Sequence, residues 1–157
     1  MELAQEDARK PEEIDEVPVG CVIVCDGEVI SRGHNLKEQL NQAYAHAEMM
    51  AIQKAAEVKG NWCLNDCDLY VTLEPCMMCT GIINLSRIRT VYYGTTDPKG
   101  GCLETVIDLK KINRLNHYPN IVGNILQKEC SEILTNYFQK KRETTKEKKQ
   151  KNKANIQ

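Results

Sequence analysis

From residue 19 to residue 95 the sequence alternates between strand and helix patterns, and this order restricts the fold more than any other feature. "VGCVIVCDGEVISRGHN" (19–35) reads as a β-hairpin, with a strand over 19–25 and a turn at Asp26-Gly27. "HAEMMAIQKAAEVKG" (46–60) reads as a helix with apolar Met49, Met50, Ile52 and Ala56, stopped by Gly60. "DLYVTL" (68–73) is a buried strand, "CMMCTGIINLSRI" (76–88) a helix with Pro75 at its start, and "TVYYGT" (90–95) a further strand. A hairpin followed by helix, strand, helix and strand predicts one sheet covered by helices, an α/β layered domain.

The flanks are less regular. Residues 2–10 favour a helix with a thin apolar stripe of Leu3, Ala4 and Ala8, and Pro11 ends or kinks it. "TTDPKGGC" (95–102) is a loop, a short helix is expected over 103–109, and "NIVGNIL" (120–126) suggests a last strand. "QKECSEILTNYFQKKRE" (127–143) is an amphipathic helix that runs into a basic end. There is no internal repeat and no domain linker. The expected division is one domain over 1–142 and a basic, flexible tail over 143–157.

The chain has 157 residues, enough for one domain that holds its core without staples. It has no run of 18 apolar residues, so no membrane span is expected. Its first residues, "MELAQEDARKPEEIDE", are acidic and lack the apolar stretch of a secretion signal, which points to the cytoplasm. In a reducing compartment, eight cysteines suggest metal ligands or free thiols rather than disulfides. The net charge of −1 hides an asymmetry: "KKRETTKEKKQKNK" (140–153) carries eight bases against Glu143 and Glu147. Taken alone, such a block is a solvated end that faces anions.

Two helix starts carry the chemistry. His46 and Glu48 open one central helix as "HAE", and Cys76 and Cys79 open the next as "PCMMC". Positions three apart share one helix face, so both sulfurs can reach one ion. The exposed N–H groups and positive dipole end of a helix start favour thiolates. His46, Cys76 and Cys79 make three ligands of the type zinc prefers, and a zinc with three protein ligands keeps a place for water. Glu48 is then free to take a proton from that water and pass it on. Cys63 and Cys67 form a rival C-x-x-x-C pair, read here as loop thiols near a strand start. "HAE" alone, or one C-x-x-C alone, would carry little; a lone C-x-x-C is equally a redox motif.

H-x-E followed by P-C-x-x-C is the signature of the zinc-dependent nucleobase deaminases. Beyond the signature, "EVPVGCVIV" (16–24), "HNLKEQLNQAYAHAEMMAI" (34–52), "LYVTLEPCMMC" (69–79) and "LNH" (115–117) resemble the bacterial tRNA-specific adenosine deaminases, over about residues 14–142. That resemblance implies a cytidine deaminase-like, three-layer α/β/α domain around a mixed sheet of about five strands. It implies one zinc per subunit and hydrolytic conversion of the wobble adenosine of an arginine tRNA anticodon to inosine. Glu48 would move protons from water to the ring nitrogen and help ammonia leave. The resemblance further implies contacts to the nucleoside or RNA from Asn35, from Asp97 and Lys99 in the Gly94–Gly101 loop, from Asn116, and from Tyr137, Phe138, Lys140, Lys141 and Arg142. The partners it implies are the anticodon stem-loop and a second copy of the chain.

The chain departs from that family at Pro11, at Cys63 where an arginine is common, at Ile82 where a smaller residue is usual, and at Glu104-Thr105 where Gly-Ser is usual. Two other functions share parts of the signal. A deaminase of free guanine or cytosine has the same zinc site but does not need a lysine-rich C-terminal helix. A non-catalytic zinc module does not need Glu48.

Overall fold

The computed structural model describes residues 1–10 and 15–154, with side chains to residue 151; Pro11 lies outside the described residues. Helix α1 (Glu2–Arg9) is followed by the hairpin β1 (Gly20–Cys25) and β2 (Glu28–His34). A short helix α2 (Lys37–Leu40) leads to α3 (Ala47–Lys59), then β3 (Cys67–Leu73), α4 (Met77–Leu85) and β4 (Thr90–Thr95). The chain closes with β5 (Asn120–Val122) and the long helix α5 (Gln127–Ala154).

The five strands form one mixed sheet in the order β2-β1-β3-β4-β5. β1 runs antiparallel to β2 and β3, whereas β4 runs parallel to β3 and β5. A parallel pair needs a crossover, and α4 supplies it between β3 and β4. Helices α3 and α4 pack on one face of the sheet, and α1 and α5 on the other, giving the expected three layers. The core between sheet and α3 is built from Ile23, Leu69, Val71 and Val91 against Ala51, Ile52 and Ala55, with Ile83 of α4 beside them.

Close approach of helix and strand fixes where the chemistry sits. A Cβ on Gly33 would lie 2.5 Å from the Ala47 carbonyl oxygen, so a bare glycine lets the first turn of α3 seat directly on β2. Gly20 plays the same part on the other face, where a Cβ would collide with the backbone of Ala4 and Ala8 in α1. The first turn of α3 is therefore held by backbone-to-backbone packing on the sheet.

Three local expectations are corrected. The helix expected over 103–109 does not form: the N–H groups of Leu103, Glu104 and Thr105 all donate to Glu74 and wrap the chain round a carboxylate, and only Leu109 enters a short 3-10 helix, Leu109–Lys111. The last strand stops at Val122, because Asn124 (φ 63°) and Leu126 (φ 51°) turn the chain through left-handed conformations. The basic end continues α5 as helix to Ala154, past residue 142 where a flexible tail was expected to begin. Among the described residues, no helix is long and apolar enough to cross a membrane.

Candidate metal centre

The carboxyl ends of the parallel strands are where open α/β sheets place their ligands, and Cys76 follows the end of β3 by three residues. His46 is the N-cap of α3 and Cys76 the N-cap of α4, both in extended conformation. His46 supplies no side-chain cap of its own. Asn35 does so instead: its Oδ1 accepts from the Ala47 N–H at 2.9 Å, while its Nδ2 donates to the Val17 carbonyl at 3.0 Å. Asn35 thus ties the end of the hairpin to the turn that carries His46.

His46 Nδ1 lies 3.7 Å from Cys76 Sγ and 3.6 Å from Cys79 Sγ. A tetrahedral zinc with ordinary Zn–N and Zn–S bonds holds such atoms about 3.5 Å apart, so the three donors fit the ion with little adjustment. The Cys79 contact, followed by that of His46, pulls the Cys76 thiol down to about 4, while Cys79 keeps the shared proton and is raised. The same contact with Cys76 raises His46. A thiolate already favoured at neutral pH is the form a metal binds.

Glu48 is 4% exposed. Burial pushes its carboxyl up to about 7, against the opposing pull of its own backbone N–H. A carboxyl with that value can give and take a proton near neutral pH. His46, Glu48 and Cys76 line a cavity of about 200 Å³, together with Asn35, Asp97, Tyr137 and Lys141.

The remaining predicted residues divide. Asp97 lines the cavity and accepts from the Lys99 N–H at 3.0 Å, and Lys99 itself is exposed. Tyr137 is buried rather than exposed. Its hydroxyl donates to the Asp15 carbonyl and carboxylate, each at 3.3 Å, and accepts from Lys141 at 3.1 Å. It is a wall of the cavity, and Phe138, 43% exposed, is the aromatic that faces solvent. Lys141 also pairs with the Asp15 carboxylate at 3.3 Å, and Lys140, Lys141 and Arg142 all lie exposed on α5. Asn116 is not among the residues that line this cavity. Its neighbour His117 accepts from Asn84 near the far end of α4, about 12 Å along the helix from Cys76. Cys63 stands apart, its N–H held by Asn61.

The sequence pattern that defines the cytidine and deoxycytidylate deaminase zinc-binding region matches residues 1–95. The tRNA-specific adenosine deaminase of Bacillus subtilis is 46% identical over 149 residues, which is 95% of this chain and 91% of that one. The chain belongs to the tRNA-specific adenosine deaminase family. A relative of the same name from Agrobacterium fabrum is 45% identical over 142 residues, covering 90% of this chain and 93% of its own. Among solved structures, one from work on A-to-I editing by tRNA deaminases at the wobble position of transfer RNA has a TM-score of 0.83 at 46% identity. It covers 85% of this chain and 97% of that chain. A guanine deaminase from Bacillus subtilis reaches a TM-score of 0.59 at 40% identity, over 60% of this chain and 61% of its own.

In this member of the family, Glu74 also lines the cavity, and it is not singled out in the sequence. Glu74 is 2% exposed, and its carboxylate accepts from the N–H groups of Asp97, Leu103, Glu104 and Thr105 and from the Thr105 hydroxyl at 2.5 Å. It fastens the 97–105 loop to the strand end just before Pro75 and Cys76. The unusual Glu104-Thr105 pair is absorbed here: Thr105 supplies an extra donor, and Glu104 accepts from the Tyr93 hydroxyl at 2.7 Å. Glu74→Gln turns an amide donor toward several donors. Leaving buried donors unpaired costs roughly 1–3 kcal/mol. The expected result is that loss in a denaturant melt, with zinc content unchanged and a raised KM for RNA. Wild-type stability and KM would remove Glu74 from this role.

Proposed function

We propose that the protein deaminates adenosine to inosine at the wobble position of a tRNA anticodon, with an arginine tRNA as substrate. The carrying observation is the buried Glu48 carboxyl beside the His46, Cys76 and Cys79 cluster, with Glu48, His46 and Cys76 lining one cavity, in a chain with this family membership. His46, Cys76 and Cys79 hold zinc, which when bound lowers the pKa of water so that it is a nucleophile near neutral pH. Glu48 takes a proton from the attacking water, delivers it to the ring nitrogen next to the amino-bearing carbon, and assists departure of ammonia. Asn35 orients the His46 turn and stands at the cavity where the nucleoside enters.

An unpaired loop base enters such a cavity at small unstacking cost. The rest of the RNA is then held outside it. Phe138 offers a face for stacking, and Lys140, Arg142 and the lysines further along α5 offer partners for phosphate. Asp97 and Lys99 act from the 97–105 loop, and Asn116 from the segment before β5, where His117 is bonded to Asn84 of α4. The enzyme acts as a cytoplasmic homodimer. Met77 and Leu85 leave an apolar stripe of α4 largely exposed, which a second copy would cover.

Inosine mapping of total tRNA after incubation with the pure protein tests this reading, and modification confined to a wobble adenosine is expected. Lys141 is spent on Tyr137 and Asp15, so the RNA contact of α5 is better tested by truncation after Glu143. That variant keeps zinc but binds the stem-loop more weakly, with a salt dependence shallower by roughly one unit of slope per lost phosphate contact. Binding and editing like the full chain at every salt concentration would reduce that end of α5 to a solvated helix.

A further inference from the structure

Eight cysteines are free in this chain, and two of them meet far from the metal cluster. We propose that Cys25 and Cys67 form a reversible dithiol that hydrogen peroxide converts to a disulfide across β1 and β3.

The register puts Cys25 opposite Cys67. The Cys67 N–H donates to Leu64, and its carbonyl accepts from Arg89, so neither group faces β1. The two cysteines are therefore a non-hydrogen-bonded antiparallel pair, the kind whose Cα atoms approach to about 4.5 Å. That spacing lies inside the range a disulfide spans, about 4.4–6.8 Å. Both sulfurs and an Asp66 carboxylate oxygen lie within 4.8 Å of one another.

The polar neighbours suit two different sulfur roles. Lys59, the last residue of α3, places Nζ 3.4 Å from Cys25 Sγ and is ion-paired with Asp66. It can hold the negative charge that Cys25 carries during attack. Cys67 Sγ donates to Asp66 Oδ1 at 3.4 Å, and burial raises this thiol, so Cys67 keeps its proton until the second step. The Cys25 thiol gives up its proton and its sulfur attacks one peroxide oxygen; the O–O bond breaks, a sulfenic acid forms, and the departing hydroxide takes the proton that Cys25 released and leaves as water. The Cys67 sulfur then attacks the Cys25 sulfur, the S–O bond breaks, and the Cys67 proton leaves with that oxygen as a second water. Two thiols and one peroxide give one disulfide and two waters.

A metal ion is the rival occupant of two thiols and a carboxylate. The Lys59 ammonium already stands against two of these three donors, which satisfies the group without an ion. Access favours a small oxidant: Cys67 is fully buried and Cys25 8% exposed, under a rim formed by Lys59 and Asp66. About 20 Å of β3 separates this pair from the metal cluster at the other strand end.

The test treats the zinc-loaded full chain with graded hydrogen peroxide, quenches with an alkylating agent, and reads linked peptides by mass together with zinc release. The expected product is a Cys25–Cys67 link, two hydrogens lighter, formed before any zinc is lost and reversed by a thiol reductant. Cys25→Ser and Cys25→Ala both lose the link and keep zinc content and deaminase activity. Lys59→Met slows the link several-fold. A Cys76–Cys79 link with zinc loss appearing first overturns the proposal, as does no link at all. It is equally overturned by a second zinc equivalent that the reduced chain binds and Cys67→Ser does not.

Discussion

Glu48→Ala keeps zinc and fold and loses deamination. The carboxyl is buried beside the proposed ligands His46, Cys76 and Cys79, and in the proposed reaction it acts more than once in each turnover. A single general acid–base group contributes roughly 100- to 10,000-fold, so the expected loss in kcat lies at or beyond the upper figure. Glu48→Gln keeps the shape and removes the proton transfer, and it falls as far. Single-turnover rates on an RNA stem-loop, with zinc measured on the same samples, check this. Activity within tenfold of wild type, at full zinc occupancy, would falsify the assignment.

Removal of the metal has the second large effect. With His46, Cys76 and Cys79 as the proposed ligands, loss of either sulfur leaves the ion two protein ligands. Cys79→Ser, or chelation of the wild type, abolishes activity. It also costs stability, because an ion bound only by the folded chain stabilises it by mass action, about 2.7 kcal/mol at a hundredfold excess over Kd. For a chain of this size each kcal/mol moves Tm by about 2–4 °C. The zinc-free protein should melt roughly 5–10 °C lower and regain its Tm when zinc is restored. An unchanged Tm and activity after verified zinc removal would contradict the ligand set.

The sequence reads well where the determining contacts are local. "HAE" and "PCMMC" each place their reactive groups within one helical turn, so the spacing reveals the shared face. The strands from β1 to β4 are legible for the same reason, since period and turn residues lie within each segment. What stays hidden depends on pairings between distant residues. Glu74 binds mostly backbone N–H groups some 23 to 31 positions away, and backbone donors leave no residue signature. Asn35 is recognisable as a family residue, but its role as the cap of α3 needs the hairpin end folded against Ala47. Tyr137 looks like a solvent-facing aromatic of a basic helix until Asp15, 122 positions earlier, is seen to accept its hydroxyl. The Cys25–Cys67 pair needs the β1–β3 register, which no local pattern fixes.

One substrate comparison decides whether this cavity acts on a loop adenosine presented by RNA. The zinc-loaded protein is given an anticodon stem-loop with adenosine at the wobble position and, separately, free adenosine, cytidine, cytosine and guanine at equal concentration. Inosine is expected in the stem-loop and no ammonia from the free compounds, because only RNA brings the phosphate and stacking contacts that hold the base in place. Rapid turnover of free guanine or cytosine, with the stem-loop untouched, would contradict it.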